Sequence, residues 1–512
     1  MRWLLLFAGC LAAQDNDWLH YSQNYQAHRH SPLKEIHAGN ADKLNLAWAY
    51  TARMREKFET SPIVVDGVMY ITLPPNDVIA LDAETGVKLW EYRRNLPPKI
   101  NVCCGQVNRG VAVAGERLFL ATLDAHLVAL DRKNGRVLWD SEMTDYRLGY
   151  SATHAPLVVK DKVIVGVAGG EYGIRGFLDA YGVADGARKW RFYTVPGPGE
   201  FGNETWAGDS WRRGGAPIWI TGSYDPELNL TYWGTGNPGP DWNGEVRKGD
   251  NLFSDSVVAL DADTGQRKWH FQFTPHDVHD WDATQIMVLI DREFRGRQRK
   301  LLVTANRNGF YYVLDRATGE FLHATPYVKQ TWAKELDAKG RPVRNVGIDP
   351  TSDGVRVYPQ VAGGTNWNSP AFNPDTGLFY VAAREGSSVY YTGEAVYREG
   401  ARYQGSFFRN EDVMEDWHGA VRALDPVSGK LQWEYKLFRA PWAGLLSTAG
   451  NLIFAGTEEG YFLALDARDG KELWKRNLGG QIIAAPMAYG TASGQKIAIA
   501  AGTGLFVFQL AK

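Results

Sequence analysis

Short runs of alternating apolar and polar residues recur along the chain. Each ends at Asp, passes a turn that carries Gly, and resumes as a second run that reaches Trp. VIALDAETGVKLWEY (78–92), LVALDRKNGRVLWD (127–140), VVALDADTGQRKWHF (257–271), VRALDPVSGKLQWEY (421–435) and FLALDARDGKELWKR (462–476) share this grammar. Alternation at a period of two predicts half-buried strands, and the Gly turns join them into hairpins. LDAYGVADGARKWRF (178–192) and YYVLDRATGEFLHA (311–324) are weaker copies, the second without Trp. LNLAWAY (44–50) reads as a lone last strand whose partners lie elsewhere in the chain.

Eight units can be counted, ending near Trp48, Trp90, Trp139, Trp190, Trp269, His323, Trp433 and Trp474. Most are spaced by roughly 40 to 55 residues, which suits the four-stranded blades of a propeller. The pattern predicts an all-β, eight-bladed β-propeller, with each Trp packed on the neighbouring blade. The strand at 44–50 would complete a blade begun by 482–510, which removes exposed sheet edges. Two long intervals, 193–254 and 325–418, are rich in Gly, Pro, Trp and polar residues and read as loops inserted on one face.

Composition adds few bounds. The 512 residues include 19 Trp and 55 Gly, as many short strands and tight turns require, and the net charge of −2 gives no reason to expect nucleic acid. MRWLLLFAGCLAAQ places one Arg before a short apolar run and small residues, the form of a signal peptide over 1–13, with one domain from 17 to 512. Lipid attachment at Cys10 is the weaker alternative, and no later run is long and apolar enough for a membrane span. Export, to the periplasm, would expose the remaining cysteines, the adjacent Cys103 and Cys104, to oxidation. A bond between neighbours closes no loop worth constraining, so it would serve a site rather than the fold. Two reduced, buried thiols are the other reading.

A propeller brings one strand of each blade to a common axis. Glu59 lies 23 residues before Asp82, Arg109 lies 22 before Asp131 and Trp442 lies 24 before Asp466, so the three are equivalent in their repeats. A structural repeat would place similar small or apolar residues there. A carboxylate, a guanidinium and an indole point instead to a bound ligand.

CCGQVNRGVAV (103–113), GGEYGIRG (169–176), GSYDPELNLTYWGTGNPGP (222–240), HDWDATQ (279–285) and RNG (307–309), set among the Trp repeats, resemble the pyrroloquinoline quinone (PQQ)-dependent alcohol dehydrogenases. The large subunit of methanol dehydrogenase is of that family, and the resemblance spans roughly 17–510. It implies an eight-bladed propeller with the quinone on its axis, covered on one face by a Cys103–Cys104 disulfide. Trp219, eighteen residues before Asn237, would be the floor on which the quinone stacks. Arg109 would pair with a quinone carboxylate and Glu59 would orient it, with Thr153, Gly169 and Gly170 as further donors. Arg307 would reach the quinone oxygens, and Asn366 and Trp442 would close the rim. Glu171, Asn237 and Asp282 would bind a hard cation.

Asp282 is the implied base for the alcohol's hydroxyl proton, and Asp280, beside His279, reads as a loop carboxylate. Family members that use a lanthanide place a second acidic residue two positions after the catalytic aspartate. Here that position is Thr284, so Ca2+ is expected. The cation would polarise a quinone carbonyl for hydride transfer. No CxxCH haem attachment motif occurs in the sequence, so electrons would leave to a separate carrier, which the resemblance implies is a soluble c-type cytochrome. A homodimer or a small second subunit stays open, as does the choice of alcohol. A sugar or polyol dehydrogenase is the nearest alternative, and a propeller scaffold for protein binding the more distant one.

Overall fold

The structure, a computed structural model, describes residues 16–54, 56–410 and 417–511. The signal-peptide reading of 1–13, and Cys10 within it, lie outside the described residues. Eight sheets of four or five strands follow one another along the chain. Sheets 1 to 7 span 63–92, 112–142, 157–193, 223–272, 288–326, 371–437 and 446–477. Sheet 8 combines Met487–Thr491, Gly494–Ala501 and Gly504–Leu510 with Leu44–Thr51 from the start of the chain.

In sheets 1 to 7 the last strand is the most exposed and the first strand forms the opposite edge. In sheet 1, Ile63–Val65 is wholly buried, Val68–Leu73 and Asp77–Asp82 are buried except at their ends, and Lys88–Tyr92 is partly exposed throughout. The first strand of a sheet is therefore innermost. The segment from Trp18 to Arg29 shows how these strands converge, since its carbonyls accept amide hydrogen bonds from Val64, Tyr224, Leu289, Phe372 and Ser447. These lie on the first strands of sheets 1, 4, 5, 6 and 7. Tyr25, Gln26, His28 and Arg29 reach sheets 4, 5, 6 and 7 in turn, which requires those strands to stand side by side. The buried Arg29 secures the segment by donating to Tyr21 O, Ser61 Oγ, Ala485 O and Pro486 O.

The repeated Trp joins each sheet to the next. Trp90, Trp139, Trp190, Trp269 and Trp433 donate their indole N–H to Arg132, Val183, Ala262, Arg316 and Ala467 of the following sheet, at 3.1–3.3 Å. The turn Gly is needed for this contact. At Gly135 φ is +72°, and a Cβ would stand 2.6 Å from the Trp90 ring. Where the repeat lacks Trp, His323 Nε2 bonds Ser428 O at 2.9 Å, and Tyr311 and Thr325 cover Gly429. Trp474 packs edge-on against Phe508 at 5.2 Å, and from sheet 8 Trp48 lies over Gly86 of sheet 1. Each sheet is thus docked on the next and the last on the first.

The two long intervals are not simply loops. Ser223–Asp225 and Leu230–Gly234 are the inner strands of sheet 4, and Ala371–Asn373 and Leu378–Arg384 are those of sheet 6. The rest of the second interval holds a hairpin (Ala333–Leu336, Pro342–Arg344) and a small sheet of Val355–Val357, Ser388–Tyr390 and Phe408–Asn410. Among the described residues no helix is long and apolar enough to cross a membrane.

Trp269→Ala removes a buried ring and its bond to Arg316 O, and is expected to cost about 3–5 kcal/mol, against about 1 kcal/mol for Trp269→Phe. Urea unfolding midpoints of the two variants test this. Equal losses would deny the docking role.

Candidate active site

Antiparallel strands make the start of each first strand and the end of each second strand neighbours. Glu59, Arg109, Thr153, Trp219, Asp282, Asn366 and Trp442 all lie three to six residues before a first strand. Gly169, Gly170, Glu171, Asn237 and Arg307 lie two to five residues after a second strand. The sequence-predicted residues therefore gather at one end of the inner strands.

The loop before Val288–Phe294 is folded by Asp277, whose carboxylate accepts from the amides of His279 (3.0 Å) and Trp281 (2.8 Å). Trp281 is fully buried, stacks on His279 and donates to Gln360 O. These contacts turn Asp280 and Asp282 toward the same guanidinium. Arg307 Nη1 binds Asp282 Oδ2, and Nη2 binds Asp280 Oδ2 at 3.1 Å. Val361 O holds the fork through Nε and Nη2 at 2.9 and 2.7 Å. Asp282 Oδ1 accepts the Asn237 amide at 2.9 Å, and a Cβ on Gly236 would collide with that oxygen. Asp280 makes no bond through Oδ1 among the described residues and adopts a left-handed φ of +60°, a strained state for a non-glycine residue. Its side chain is 23% exposed, against 8% for Asp282.

Glu171 sits on the 3-10 turn Gly170–Tyr172, which Gly169 enters at φ +116°. Cys103 and Cys104 are disulfide-bonded, and their sulfurs and a Glu171 carboxylate oxygen lie within 4.8 Å of one another. Asn237 turns its amide NH2 to Asp241 Oδ1 at 3.1 Å, and Gln404 donates to Asp241 Oδ2 at 2.9 Å. That leaves Asn237 Oδ1, 3.7 Å from the Cβ position of Gly170, without a hydrogen bond among the described residues.

This group is electrostatically crowded. Burial pushes the Glu171 carboxyl up and Asp282 adds to the rise, while burial and then Glu171 push Asp241 to about 8. Burial likewise holds Asp280 well above the ordinary carboxylate range against the pull of Arg307, with Asp282, Asp241 and Glu171 adding to the rise. Asp282 is raised by burial and opposed by Arg307, the Asn237 amide and the Trp219 indole. All four carboxyls are raised by burial and by a neighbouring carboxylate, and a cation bound among them would favour their charged forms.

The opposite side is cationic and aromatic. Arg109 pairs with Glu59 at 2.8 Å and donates to Thr153 Oγ1 at 3.0 Å, leaving its buried Nε unpartnered. Its guanidinium lies 5.3 Å from the Trp219 ring and 4.9 Å from that of Trp367. Asn366 accepts the Trp367 amide and donates to Ala362 O. Trp442 stacks under Arg384 at 3.8 Å. In this otherwise buried ring the Trp219 and Trp442 side chains are only partly buried.

Asp280, Asp241, Trp367 and Arg384 were not among the residues assigned from sequence. Trp367 adjoins the assigned Asn366, Asp280 lies two residues before the assigned Asp282, and Asp241 immediately follows the GTGNPGP stretch. Arg384 ends a strand and carries no motif. The donor set fits a flat tricarboxylic quinone beside a hard cation, with indole faces, a guanidinium having a free donor, and a carboxylate and amide group rich in oxygen.

Residues 18–329 match the family model described as glucose/ethanol/alcohol dehydrogenase, beta-propeller domain, and residues 418–506 match one described as outer membrane protein assembly factor BamB. The quinoprotein alcohol dehydrogenase PedH of Pseudomonas putida is 41% identical, over 94% of this chain and 85% of its own. The lanthanide-dependent methanol dehydrogenase of Methylacidiphilum fumariolicum is 38% identical, over 96% of this chain and 86% of its own. A solved europium-containing methanol dehydrogenase superposes with a TM-score of 0.92 at 35% identity, covering 98% of this chain and all of that one. These relatives are quinoprotein or methanol dehydrogenases over nearly the whole chain, and with the β-propeller model they show that the chain belongs to the PQQ-dependent alcohol dehydrogenase family.

Proposed function

We propose that the chain oxidises a small primary alcohol to its aldehyde on PQQ held at the entry end of the inner strands. The eight docked sheets are read as eight blades of one domain from residue 17 onward. The observation that carries the function is the pairing of an acid and amide cluster with an aromatic and cationic rim at one end of these strands. The quinone would lie between the Trp219 indole and the Cys103–Cys104 disulfide, with Arg109, Thr153, Asn366 and Trp442 around its edge and the Gly169–Gly170 turn beside it. Glu171, Asn237 and Asp282 would hold the cation.

PQQ held by these residues would supply the hydride acceptor for the alcohol carbon, and the cation held by Glu171, Asn237 and Asp282 would supply a Lewis acid for its carbonyl. The chain supplies the base. The geometry favours Asp280 over Asp282 for this task. Both Asp282 oxygens are engaged, by the Asn237 amide and by Arg307, whereas Asp280 keeps Oδ1 free and is the more exposed of the two. Asp280 Oδ1 would accept the hydroxyl proton while Arg307 Nη2 holds Oδ2 and orients the carboxylate. Arg307 would bind both aspartates, and through them fix the spacing between base and cation.

This assignment reverses the argument for calcium. With Asp280 as base, Asp282 is itself the acidic residue two positions after it. A cation set containing Glu171 and Asp282, with Asp280 and Asp241 alongside, concentrates negative charge in the way a trivalent lanthanide requires more than calcium does. The two relatives named for a lanthanide and for europium support that choice. The apolar start of the chain supports export to the periplasm, and a soluble c-type cytochrome is the electron acceptor we propose.

The purified chain, supplied with PQQ and either calcium or lanthanum, should reduce an artificial dye with short alcohols, and lanthanum should give the higher rate. Full activity with calcium and none with lanthanum would restore the calcium assignment. No quinone binding with either metal would leave a binding propeller without this chemistry.

Asp280→Asn should keep bound quinone absorbance and lower kcat about 10²–10⁴-fold. Asp282→Asn should instead raise the metal concentration needed for half-activity at least about tenfold and be rescued in part by excess metal. The reverse pattern would return the base to Asp282. Reduction of the Cys103–Cys104 bond should lower turnover while far-ultraviolet circular dichroism stays unchanged, and full activity with both thiols free would remove the disulfide from the mechanism.

A further inference from the structure

Arg384 closes Leu378–Arg384, the second strand of sheet 6, with its amide on Gly364 O at 2.8 Å. It ends the second strand of its sheet, at the same end of the inner strands as Glu171, Asn237 and Arg307, which follow the second strands of sheets 3, 4 and 5 by two to five residues. Only 3% of it is exposed. Its guanidinium lies 3.8 Å from the Trp442 ring, and Nη1 donates to Pro441 O at 2.5 Å and Ala440 O at 3.4 Å. Nε is enclosed and has no partner, and Nη2 makes no hydrogen bond among the described residues.

Other buried arginines are better matched. Arg109, Arg307, Arg316 and Arg422 each have a carboxylate within ion-pair distance. Arg29 and Arg247 lack one, but each donates through at least two of its nitrogens to a cage of oxygens. Arg384 has neither arrangement among the described residues. Burial draws its guanidinium down to about 9, with Glu458 opposing the fall and Arg307 adding to it, which sets Arg384 in the field of the active site. An unmatched buried cation is costly, and removing it while keeping its volume is neutral or stabilising unless an anion meets it.

We propose that Arg384 is a cofactor-anchoring residue that binds a carboxylate of the quinone through Nε and Nη2, beside Asn366 and Trp442. This rests on the quinone reading above. Glu59 already neutralises Arg109, so that pair brings no net charge to a tricarboxylate, and Arg384 supplies it. The loop 362–368 carries both sides of this arrangement. Its Gly364 O holds the Arg384 amide, its Trp367 ring takes the Arg109 guanidinium, and Asn366 lies between them.

The test is equilibrium binding of PQQ to the quinone-free chain at fixed metal, followed by tryptophan fluorescence, for wild type, R384M and R384K. The trimethyl ester of PQQ is titrated in parallel, and thermal unfolding of the quinone-free proteins is recorded. R384M should weaken PQQ binding at least tenfold, leave binding of the uncharged ester unchanged, and keep or raise the quinone-free Tm. R384K, which keeps the charge without the planar fork, should fall between wild type and R384M, and it serves alone if R384M does not fold. A variant that binds PQQ as tightly as wild type, or loses PQQ and ester equally, would overturn the anchor while leaving the quinone reading intact. Wild type that binds no PQQ would overturn both.

Discussion

Closure of the chain on itself is the constraint from which the site follows. Leu44–Thr51 pairs antiparallel with Gly504–Leu510, so sheet 8 takes strands from both ends of the sequence. With that pairing in place, each sheet has a neighbour on both sides, and the docked rings that join them leave little freedom in how far any sheet tilts. The inner strands must then converge. Sheets 1, 2, 3, 4, 6 and 7 reduce the first strand to three residues, as a crowded axis demands. The amides on their inward edges still need partners. The segment from Trp18 to Arg29 supplies them for five of the sheets, which ties the start of the fold to the same axis as the site.

That geometry explains why residues far apart in sequence share one chemistry. Antiparallel order places the entry to each first strand beside the exit from each second strand, so every sheet offers two positions at the same end. These positions are free of the packing demands that fix the strand interiors. A strand interior carries Val, Ile, Leu and Ala in this chain, whereas the entry and exit positions carry Glu59, Arg109, Trp219, Glu171, Asn237, Asp282 and Arg307. Function is varied there without altering the blade.

Much of this was legible in the sequence, for identifiable reasons. The third and fourth strands of most sheets form the repeated hairpin, the third ending in an Asp whose carboxylate caps the turn, as Asp82 does for Glu84 and Thr85, so they repeat visibly. Three-residue inner strands such as Ser223–Asp225 and Ala371–Asn373 are too short to show a period, and so the intervals around them read as loops. The missing Trp at His323 was visible, but its replacement by Tyr311 and Thr325 around Gly429 needed the packing. In the site, the resemblance made Asp282 the base and Asp280 a loop carboxylate, and the structure brings both to one end of the inner strands. Asp280 and Asp282 are two apart in one loop, and both bind Arg307. Only the bonds from Asn237 and Arg307 separate a fully engaged carboxylate from one with a free oxygen. Arg384 had no signal at all, because an Arg at a strand end is ordinary until its missing partners are known.

The charges at the centre are sorted into two sides. Glu171, Asp241, Asp280 and Asp282 gather on one, with Arg307 binding the last two, while Arg109 with Glu59, and Arg384 over Trp442, stand on the other. Trp219 belongs to both, since its ring receives Arg109 and its indole touches Asp282. An elongated ligand with anionic groups at one end and oxygen donors for a cation at the other would have one favoured orientation on that floor. Reversing it would set carboxylates against carboxylates and the cation against guanidinium groups, a mismatch that low-dielectric surroundings amplify. Orientation is therefore set by the polarity of the ring of blades before any contact with the alcohol is made. The free oxygen of Asp280 lies on the acidic side, where the proposed function would bring a substrate hydroxyl.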